Sequence, residues 1–253
     1  MTSTEHIDAL EAAGRALADA AAQAGPDAEV PTCPGWRVRD LLRHTTMVHR
    51  WATALVAERR TSYQPGEGEP DLDGDELLAH FREGHALLVA ALRAAPDTLE
   101  CWTFLPAPSP LAFWARRQAH ETTVHRADAE SALPAGPGPV PAALAADGID
   151  ELLRGFHAGD RSKVRTPAPR TLRIRATDTA DAWTLRLSAT EPPRTERAFP
   201  GTAADRSPAV DTEISGTAER LYLTLWNRLP LDAVTVTGDA DLARLWRETS
   251  AIA

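Results

Sequence analysis

The chain lacks several features that would assign it to a specialised class of protein. It has 253 residues but only two cysteines, Cys33 and Cys101, which lie far apart and give no reason to predict a disulfide. No segment approaches the about 18 consecutive apolar residues of a membrane span, so we expect no membrane partner. The net charge of −9 and the lack of a basic cluster argue against a nucleic-acid partner.

Lysine is nearly absent as well, since Lys163 is the only lysine among 27 basic residues. This preference for arginine, together with abundant alanine and 20 prolines, is typical of proteins from GC-rich genomes such as those of actinobacteria. The first residues, MTSTEHIDALEAAG, lack the basic start and the apolar core of a secretory signal. With 43% hydrophobic and 25% charged residues, the composition predicts a globular enzyme or binding protein of the cytoplasm.

The first half of the chain shows the apolar periodicity of helices. Residues 4–23 form an amphipathic pattern, and a second helix starts near Val38 after a link that contains proline and glycine. Asp75 is placed to cap a third helix, and three prolines precede a fourth helix over residues 111–132. Four helices of this length and separation predict an antiparallel four-helix bundle.

The second half of the chain changes to the alternating pattern of half-buried strands. A helix over residues 142–156 comes first, and apolar and polar residues then alternate around Ile174 and around Leu185. Further elements follow, namely strands at 210–214 and 233–237 and helices at 216–227 and 240–249. We therefore predict an α+β protein with a helical domain, 1–159, and a smaller C-terminal α/β domain, 160–253.

The fourth predicted helix contains the most informative part of the chain, RRQAHETTVH at residues 116–125. In a helix, Glu121 and His125 are one turn apart and lie on the same face. Gln118 and Asp128 continue this stripe, at the position where a bundle helix contacts its neighbours. Buried polar groups are costly unless they find partners, and a divalent metal would satisfy these groups.

Several histidines compete for a place at such a site. His120 and His125 are five residues apart and point in different directions, so the His-Glu-x-x-His motif of zinc proteases does not apply. On the second helix, His44 and His49 are also five residues apart, and periodicity alone does not choose between them as a third ligand. Asp40 precedes His44 by one turn and is placed to orient its ring.

The remaining polar and aromatic candidates have less specific interpretations. Arg117, one turn before Glu121, is predicted to pair with that carboxylate or another acid. Trp36 and Trp114 are predicted to be core and domain-packing residues. Asp128 has two open roles, a hydrogen bond to a ligand histidine or a position facing solvent.

Two segments of the first half resemble the mycothiol-dependent maleylpyruvate isomerase family, which belongs to the DinB-like metal-binding bundles. They are CPGWRVRDLLRH at 33–44 and WARRQAHETTVHRADAE at 114–130. Residues 176–187 and 214–239 are similar to the family's C-terminal α/β domain, whose topology resembles that of sterol-carrier domains. The resemblance covers nearly the whole chain.

The resemblance implies which residues bind metal and which cofactors are used. It selects His44, Glu121 and His125 as ligands, and two histidines with one carboxylate leave an open position, as in catalytic zinc sites. The expected cofactors are a divalent metal, with zinc the first choice, and mycothiol, whose thiol would lose its proton at the metal. Arg228, at the end of a C-terminal helix, is expected to be a catalytic residue that holds a substrate carboxylate. The alternative for Arg228 is an exposed residue favoured by the helix dipole.

In the isomerase reaction that the resemblance implies, the metal-bound thiolate adds to an activated cis double bond, the resulting single bond rotates, and elimination returns the trans isomer. Related bundles transfer a thiol cofactor onto electrophiles, so isomerase and S-transferase both stay open for a small electrophilic substrate. Two other hypotheses use the same fold. One is a metal-dependent hydrolase, in which the same ligands activate water, and the other is a non-catalytic protein that binds a small ligand.

Overall fold

The computed structural model describes residues 1–198 and 209–252. Its first compact unit, Met1–Gly138, is a bundle of four helices. These helices are α1 (Ser3–Ala24), α2 (Val38–Ala57), α3 (Gly74–Ala94) and α4 (Pro110–Ser131). Helix α1 packs along α4, and α2 packs against α3. The four-helix bundle predicted from the apolar periodicity is therefore confirmed.

The helices begin where the sequence supplies a capping side chain. The hydroxyl of Thr2 caps α1, and the hydroxyl of Ser109 caps α4. At the start of α3, the carboxylate of Asp73 accepts a hydrogen bond from Gly74 N at 2.8 Å. The prediction that Asp75 caps this helix was wrong, because Asp75 already lies inside the first turn.

Two apolar clusters fill the bundle. One contains the completely buried side chains of Leu10, Leu88 and Trp114, and the other contains those of Leu17 and Phe81. Burial of a large apolar side chain stabilises the folded state by about 1.5–3 kcal/mol. Apolar packing therefore holds in place the helices that carry the polar residues of the candidate site.

The second unit, Pro139–Ala253, combines a five-stranded mixed sheet with helices, which confirms the predicted α+β class. Helix α5 (Ala142–Asp150) continues as a π-helical turn, Glu151–Gly155, and a 3-10 turn, Phe156–Ala158. The other elements are β1 (Arg170–Ala176), β2 (Ala182–Leu187), β3 (Arg194–Ala198), β4 (Thr212–Gly216), α6 (Ala218–Leu225), a 3-10 turn (Leu231–Ala233), β5 (Thr235–Gly238) and α7 (Ala240–Thr249). In the described part of the chain, no helix has both the length and the apolar character needed to cross a membrane.

The strands of the sheet are arranged in the order β3-β2-β1-β4-β5. Strand β1 pairs antiparallel with β2, where Ile174 is opposite Trp183, and parallel with β4, where Ile174 is opposite Ile214. All three side chains are completely buried, which explains why apolar alternation predicts β1 and β2. Strand β3 was not predicted, because its sequence RTERA has no apolar alternation and its place depends on backbone pairing with β2.

The two compact units divide between Gly138 and Pro139, whereas the sequence pattern places the domain boundary near residue 160. The difference concerns α5, which the sequence pattern assigns to the first domain. In the structure α5 packs against α6 within the second unit, where it buries Leu144 and Ile149. A helix that follows a bundle in sequence carries no local signal of which domain it packs on.

Gly14 of α1 lies against His85 of α3 where the two helices approach closely. A Cβ atom at position 14 would lie 2.2 Å from His85 Nε2, which donates a hydrogen bond to Leu10 O at 3.1 Å. We predict that Gly14→Ala lowers the free energy of unfolding by about 1–3 kcal/mol because of this overlap. In the absence of an overlap, alanine would stabilise a helix by about 1 kcal/mol relative to glycine. Urea denaturation of the wild type and of Gly14→Ala measures the difference in their free energies of unfolding.

The matched control is the same substitution in a His85→Ala background, where the ring no longer occupies the space. In that background Gly14→Ala should be neutral or stabilising. An equal loss of stability in the two backgrounds would contradict the overlap.

Candidate metal centre

The polar stripe of α4 lies next to a histidine of α2. Glu121 Oε1 is 3.3 Å from His125 Nε2 on the same helix and 3.6 Å from His44 Nε2 on α2. One ligand atom from each of the three residues lies within 4.8 Å of the other two. The structure thus brings together the three residues that the sequence proposes as metal ligands, and their binding of a metal stays a prediction.

The arrangement of these three atoms fits a divalent metal. In a tetrahedral zinc site with bonds of about 2.0–2.1 Å, ligand atoms lie about 3.3–3.4 Å apart. The two separations of 3.3 and 3.6 Å are close to that value. The side chains of His44, Glu121 and His125 are 26%, 22% and 10% exposed, so a further ligand can reach the group. Two nitrogens, one carboxylate oxygen and access from outside are the pattern of catalytic zinc.

Glu121 is fixed by its neighbours. Arg117, one turn earlier and only 3% exposed, donates Nη2 to Glu121 Oε2 at 3.0 Å, as the spacing predicts, and Oε1 is left on the side of the histidines. Burial by itself raises the pKa of Glu121. Hydrogen bonds from His125 and His44 and the charge of Arg117 outweigh burial and hold this pKa well below its usual range. Glu121 is therefore ionised at neutral pH.

His125 is oriented by a buried carboxylate. Its Nδ1 donates to Asp128 Oδ2 at 2.9 Å, and Asp128, which has no exposed surface, also accepts a hydrogen bond from Thr32 Oγ1 at 2.6 Å. Of the two open roles of Asp128, the hydrogen bond to His125, a candidate ligand, is the one observed. Burial by itself lowers the pKa of His125, but the hydrogen bonds to Asp128 and Glu121 outweigh burial and raise this pKa to about 9.

The turn before α2 supplies two contacts that sequence reasoning missed. Trp36, interpreted from the sequence as a packing residue, has its ring 5.2 Å from that of His44 and 6.5 Å from that of His125. Thr32, which had no place in the sequence-based site, bonds to Asp128. The only sequence signal for Thr32 is its position directly before the motif that ends at His44.

Two other histidines lie outside the group of three. His49 is completely buried, its Nε2 is 2.9 Å from Thr122 Oγ1, and burial lowers its pKa to about 3. His120 is also buried and packs its ring against that of His6, with centroids 5.9 Å apart. Periodicity left His44 and His49 undecided, and the structure places His44 beside the α4 pair.

Asp40 and Arg228 have contacts outside this group. The carboxylate of Asp40 accepts a hydrogen bond from Arg37 N at 2.8 Å, so it caps α2 and does not orient His44. Arg228 follows α6 in the second unit and donates Nη1 to Trp226 O at 2.7 Å. Its expected contact with a substrate carboxylate stays a prediction.

Comparisons with known proteins agree with the two-unit architecture. Residues 7–130 match the family model of the mycothiol maleylpyruvate isomerase N-terminal domain, and residues 143–245 match that of the MDMPI C-terminal domain. Two solved structures are also similar, the mycothiol-dependent maleylpyruvate isomerase and a histidine-to-alanine mutant of it. The first is 12% identical with a TM-score of 0.63, and the mutant is 13% identical with a TM-score of 0.62. Each comparison covers 94% of this chain and 93% of the other.

Structural similarity at such low sequence identity establishes a shared fold but does not identify the substrate of this chain. A search of the curated proteins finds no match.

We predict that the purified protein binds about one divalent metal ion per chain, with zinc the first choice. The substitution His44→Ala removes one of three ligands, so most of the metal should be lost. The bundle should stay folded, because apolar packing supplies most helical stability. Metal content after dialysis and circular dichroism on the same sample measure the two effects.

The control is His80→Ala on α3, because the His80 side chain is 30% exposed and lies outside the group of three. This variant should keep its metal. Full occupancy in His44→Ala would show that the wrong histidine was assigned, and His49→Ala would then be the variant to measure.

Metal binding should release a proton from His125. With a pKa of about 9, the ring is protonated at pH 7 in the metal-free protein, and a metal at Nε2 must displace that proton. We predict about one proton released per metal at pH 7, and an affinity that rises about tenfold per pH unit up to about pH 9. Calorimetry in buffers of different ionisation enthalpy counts the protons. A count near zero at pH 7 would mean that His125 is already neutral.

Proposed function

This chain belongs to the mycothiol-dependent maleylpyruvate isomerase family, and on that basis we propose that it is a metal-dependent enzyme that uses mycothiol. One observation carries the proposal. One ligand atom each from His44, Glu121 and His125 lie within 4.8 Å of one another, and the three side chains are partly open to solvent. A protein that only binds a small apolar ligand has no need of three such groups in one place.

The residues of the chain prepare this site before any ligand binds. Arg117 engages one oxygen of Glu121, and Asp128 engages Nδ1 of His125. The remaining oxygen and the Nε2 nitrogen are thereby directed toward each other and toward His44. A divalent metal held by these atoms, zinc in our proposal, would lower the pKa of a thiol from about 8.5 and supply a nucleophile at neutral pH.

The proposed reaction is the cis–trans isomerisation of a small electrophilic molecule of the maleylpyruvate type. Transfer of mycothiol to an electrophile is the second possibility. Both need a thiolate beside the substrate and differ in whether the thiol is returned at the end. Isomerisation is favoured because the family model and both similar structures are those of an isomerase. The arginine-rich composition further favours an actinobacterial enzyme.

We assign the substrate carboxylate to Arg228. A planar guanidinium binds a carboxylate through two parallel hydrogen bonds, which fixes the orientation of the substrate as well as its affinity. The hydrogen bond from Nη1 to Trp226 O restrains the side chain at the end of α6. Restraint before binding reduces the entropy that is lost when a substrate is held.

Turnover should require mycothiol. Cysteine carries the same thiol without the sugar portions, and those portions supply binding energy that positions the sulfur, so cysteine should lose rate as well as affinity. The measurement is product formation from maleylpyruvate with mycothiol, with cysteine and without thiol. Equal rates without thiol would exclude the thiol mechanism and favour a hydrolase that activates water at the same ligands.

The same assay tests the carboxylate assignment. Replacing Arg228 by Ala should lower kcat/KM for a carboxylate substrate by about 10- to 100-fold, as expected for one lost charge-assisted contact. Metal content should be unchanged. Arg244→Ala on α7 is the matched control, since Arg244 is 63% exposed and pairs with Asp241. Identical kinetics for the two variants would remove the assignment and leave the metal centre untouched.

A further inference from the structure

A chain of three hydrogen-bonded residues connects the candidate metal centre to the turn before α2. His125 Nδ1 donates to Asp128 Oδ2 at 2.9 Å, and Thr32 Oγ1 donates to Asp128 Oδ1 at 2.6 Å. Ser131 Oγ lies 3.2 Å from Thr32 Oγ1 and donates to the backbone oxygen of Asp128 at 2.6 Å. Both carboxylate oxygens of a completely buried residue are thus engaged, one on each side.

The segment that carries Thr32 is itself held by backbone hydrogen bonds. Cys33 N donates to Val30 O, Val30 N donates to Trp36 O, and Trp36 N donates to Cys33 O, each at 2.9 Å. This turn, residues 30–36, also places the indole of Trp36 against both candidate ligand histidines. The geometry of the turn is therefore defined without a bound ligand. The turn contacts His125 directly through the ring of Trp36 and indirectly through the hydrogen bond from Thr32 to Asp128.

We propose that Asp128 and Thr32 are positioning residues for the metal centre, which hold His125 in the tautomer and ring orientation that present Nε2 to a metal. The inference rests on the proposed function, since it takes His44, Glu121 and His125 as the ligands. An imidazole rotates about its Cβ–Cγ bond unless its second nitrogen is held, and a fixed Nδ1–H leaves the lone pair on Nε2. Thr32 has the same effect one step further out, because it fixes the carboxylate.

The contributions of the two residues are ordered by their distance from the ligand. Asp128 touches the ring, so Asp128→Asn should weaken metal affinity by about 10- to 100-fold. Thr32 touches none of the three candidate ligands and reaches His125 through Asp128, so Thr32→Val, which keeps the shape and removes the hydroxyl, should weaken metal affinity by about three- to tenfold. Thr32→Ser keeps the hydroxyl and should restore affinity to within about twofold of wild type.

The experiment measures zinc affinity by competition with a chelator and records the visible spectrum of the Co²⁺-loaded proteins. A loss of positioning should change the intensity and position of the Co²⁺ bands in Asp128→Asn and Thr32→Val, and Thr32→Ser should retain the wild-type spectrum. Thr53→Val is the matched control, because Thr53 Oγ1 donates to His49 O on α2 and does not contact the three ligands. Melting temperatures of the metal-free proteins give the cost of each substitution to the fold.

The outcomes separate this inference from the proposed function. Wild-type affinity and spectrum in both Asp128→Asn and Thr32→Val, with only lower melting temperatures, would show a purely structural role and overturn the inference. If Asp128→Asn does not fold, the comparison of Thr32→Val with Thr32→Ser decides by itself. A wild-type protein that binds neither Zn²⁺ nor Co²⁺ would overturn the proposed metal centre, and the inference with it.

Discussion

The carboxylate of Asp128 is completely buried in the helix bundle and that of Glu121 is largely buried, and an ion removed from water costs several kcal/mol unless partners compensate for it. Arg117, one turn before Glu121 on α4, compensates the charge of Glu121. His125, one turn before Asp128, compensates the charge of Asp128. Both carboxylates lie on the side of α4 that faces α2 and the turn before it. Each carboxylate also has a neighbour from outside α4, which is His44 of α2 for Glu121 and Thr32 of the preceding turn for Asp128, so the position of α2 and of that turn determines whether the site forms.

The helices and strands that could be predicted from the sequence are those whose own residues show a regular apolar pattern. Apolar periodicity gave the four long helices, and alternation gave β1 and β2, because each of these elements buries one face. Strand β3 was missed, because RTERA is a strand only through its pairing with β2. The cap of α3 was assigned two residues too late, since Asp73 and Asp75 are chemically alike and only the backbone conformation distinguishes them.

The candidate site was predictable to the extent that it lies on one helix. The spacing of Glu121 and His125 is a property of any helix, so it could be read directly. The choice of His44 over His49 depends on the rotation of α2 about its own axis, which the sequence pattern did not determine and which family resemblance supplied. The role of Thr32 could not be predicted from the sequence, because its contact with Asp128 joins residues 96 positions apart.

The two oxygens of the Glu121 carboxylate have different neighbours, and this arrangement affects which metal ions the candidate site would prefer. With Oε2 engaged by Arg117, only Oε1 is directed at the histidines, so the carboxylate is set to bind through one oxygen. Calcium takes six to eight oxygen ligands and commonly a carboxylate through both oxygens, and magnesium prefers oxygen over nitrogen. A single carboxylate oxygen beside two imidazoles suits neither ion, whereas imidazole suits zinc, copper, iron and nickel. By engaging Oε2 of Glu121, Arg117 would thereby favour a metal that takes imidazole and one carboxylate oxygen over the oxygen-preferring calcium and magnesium ions.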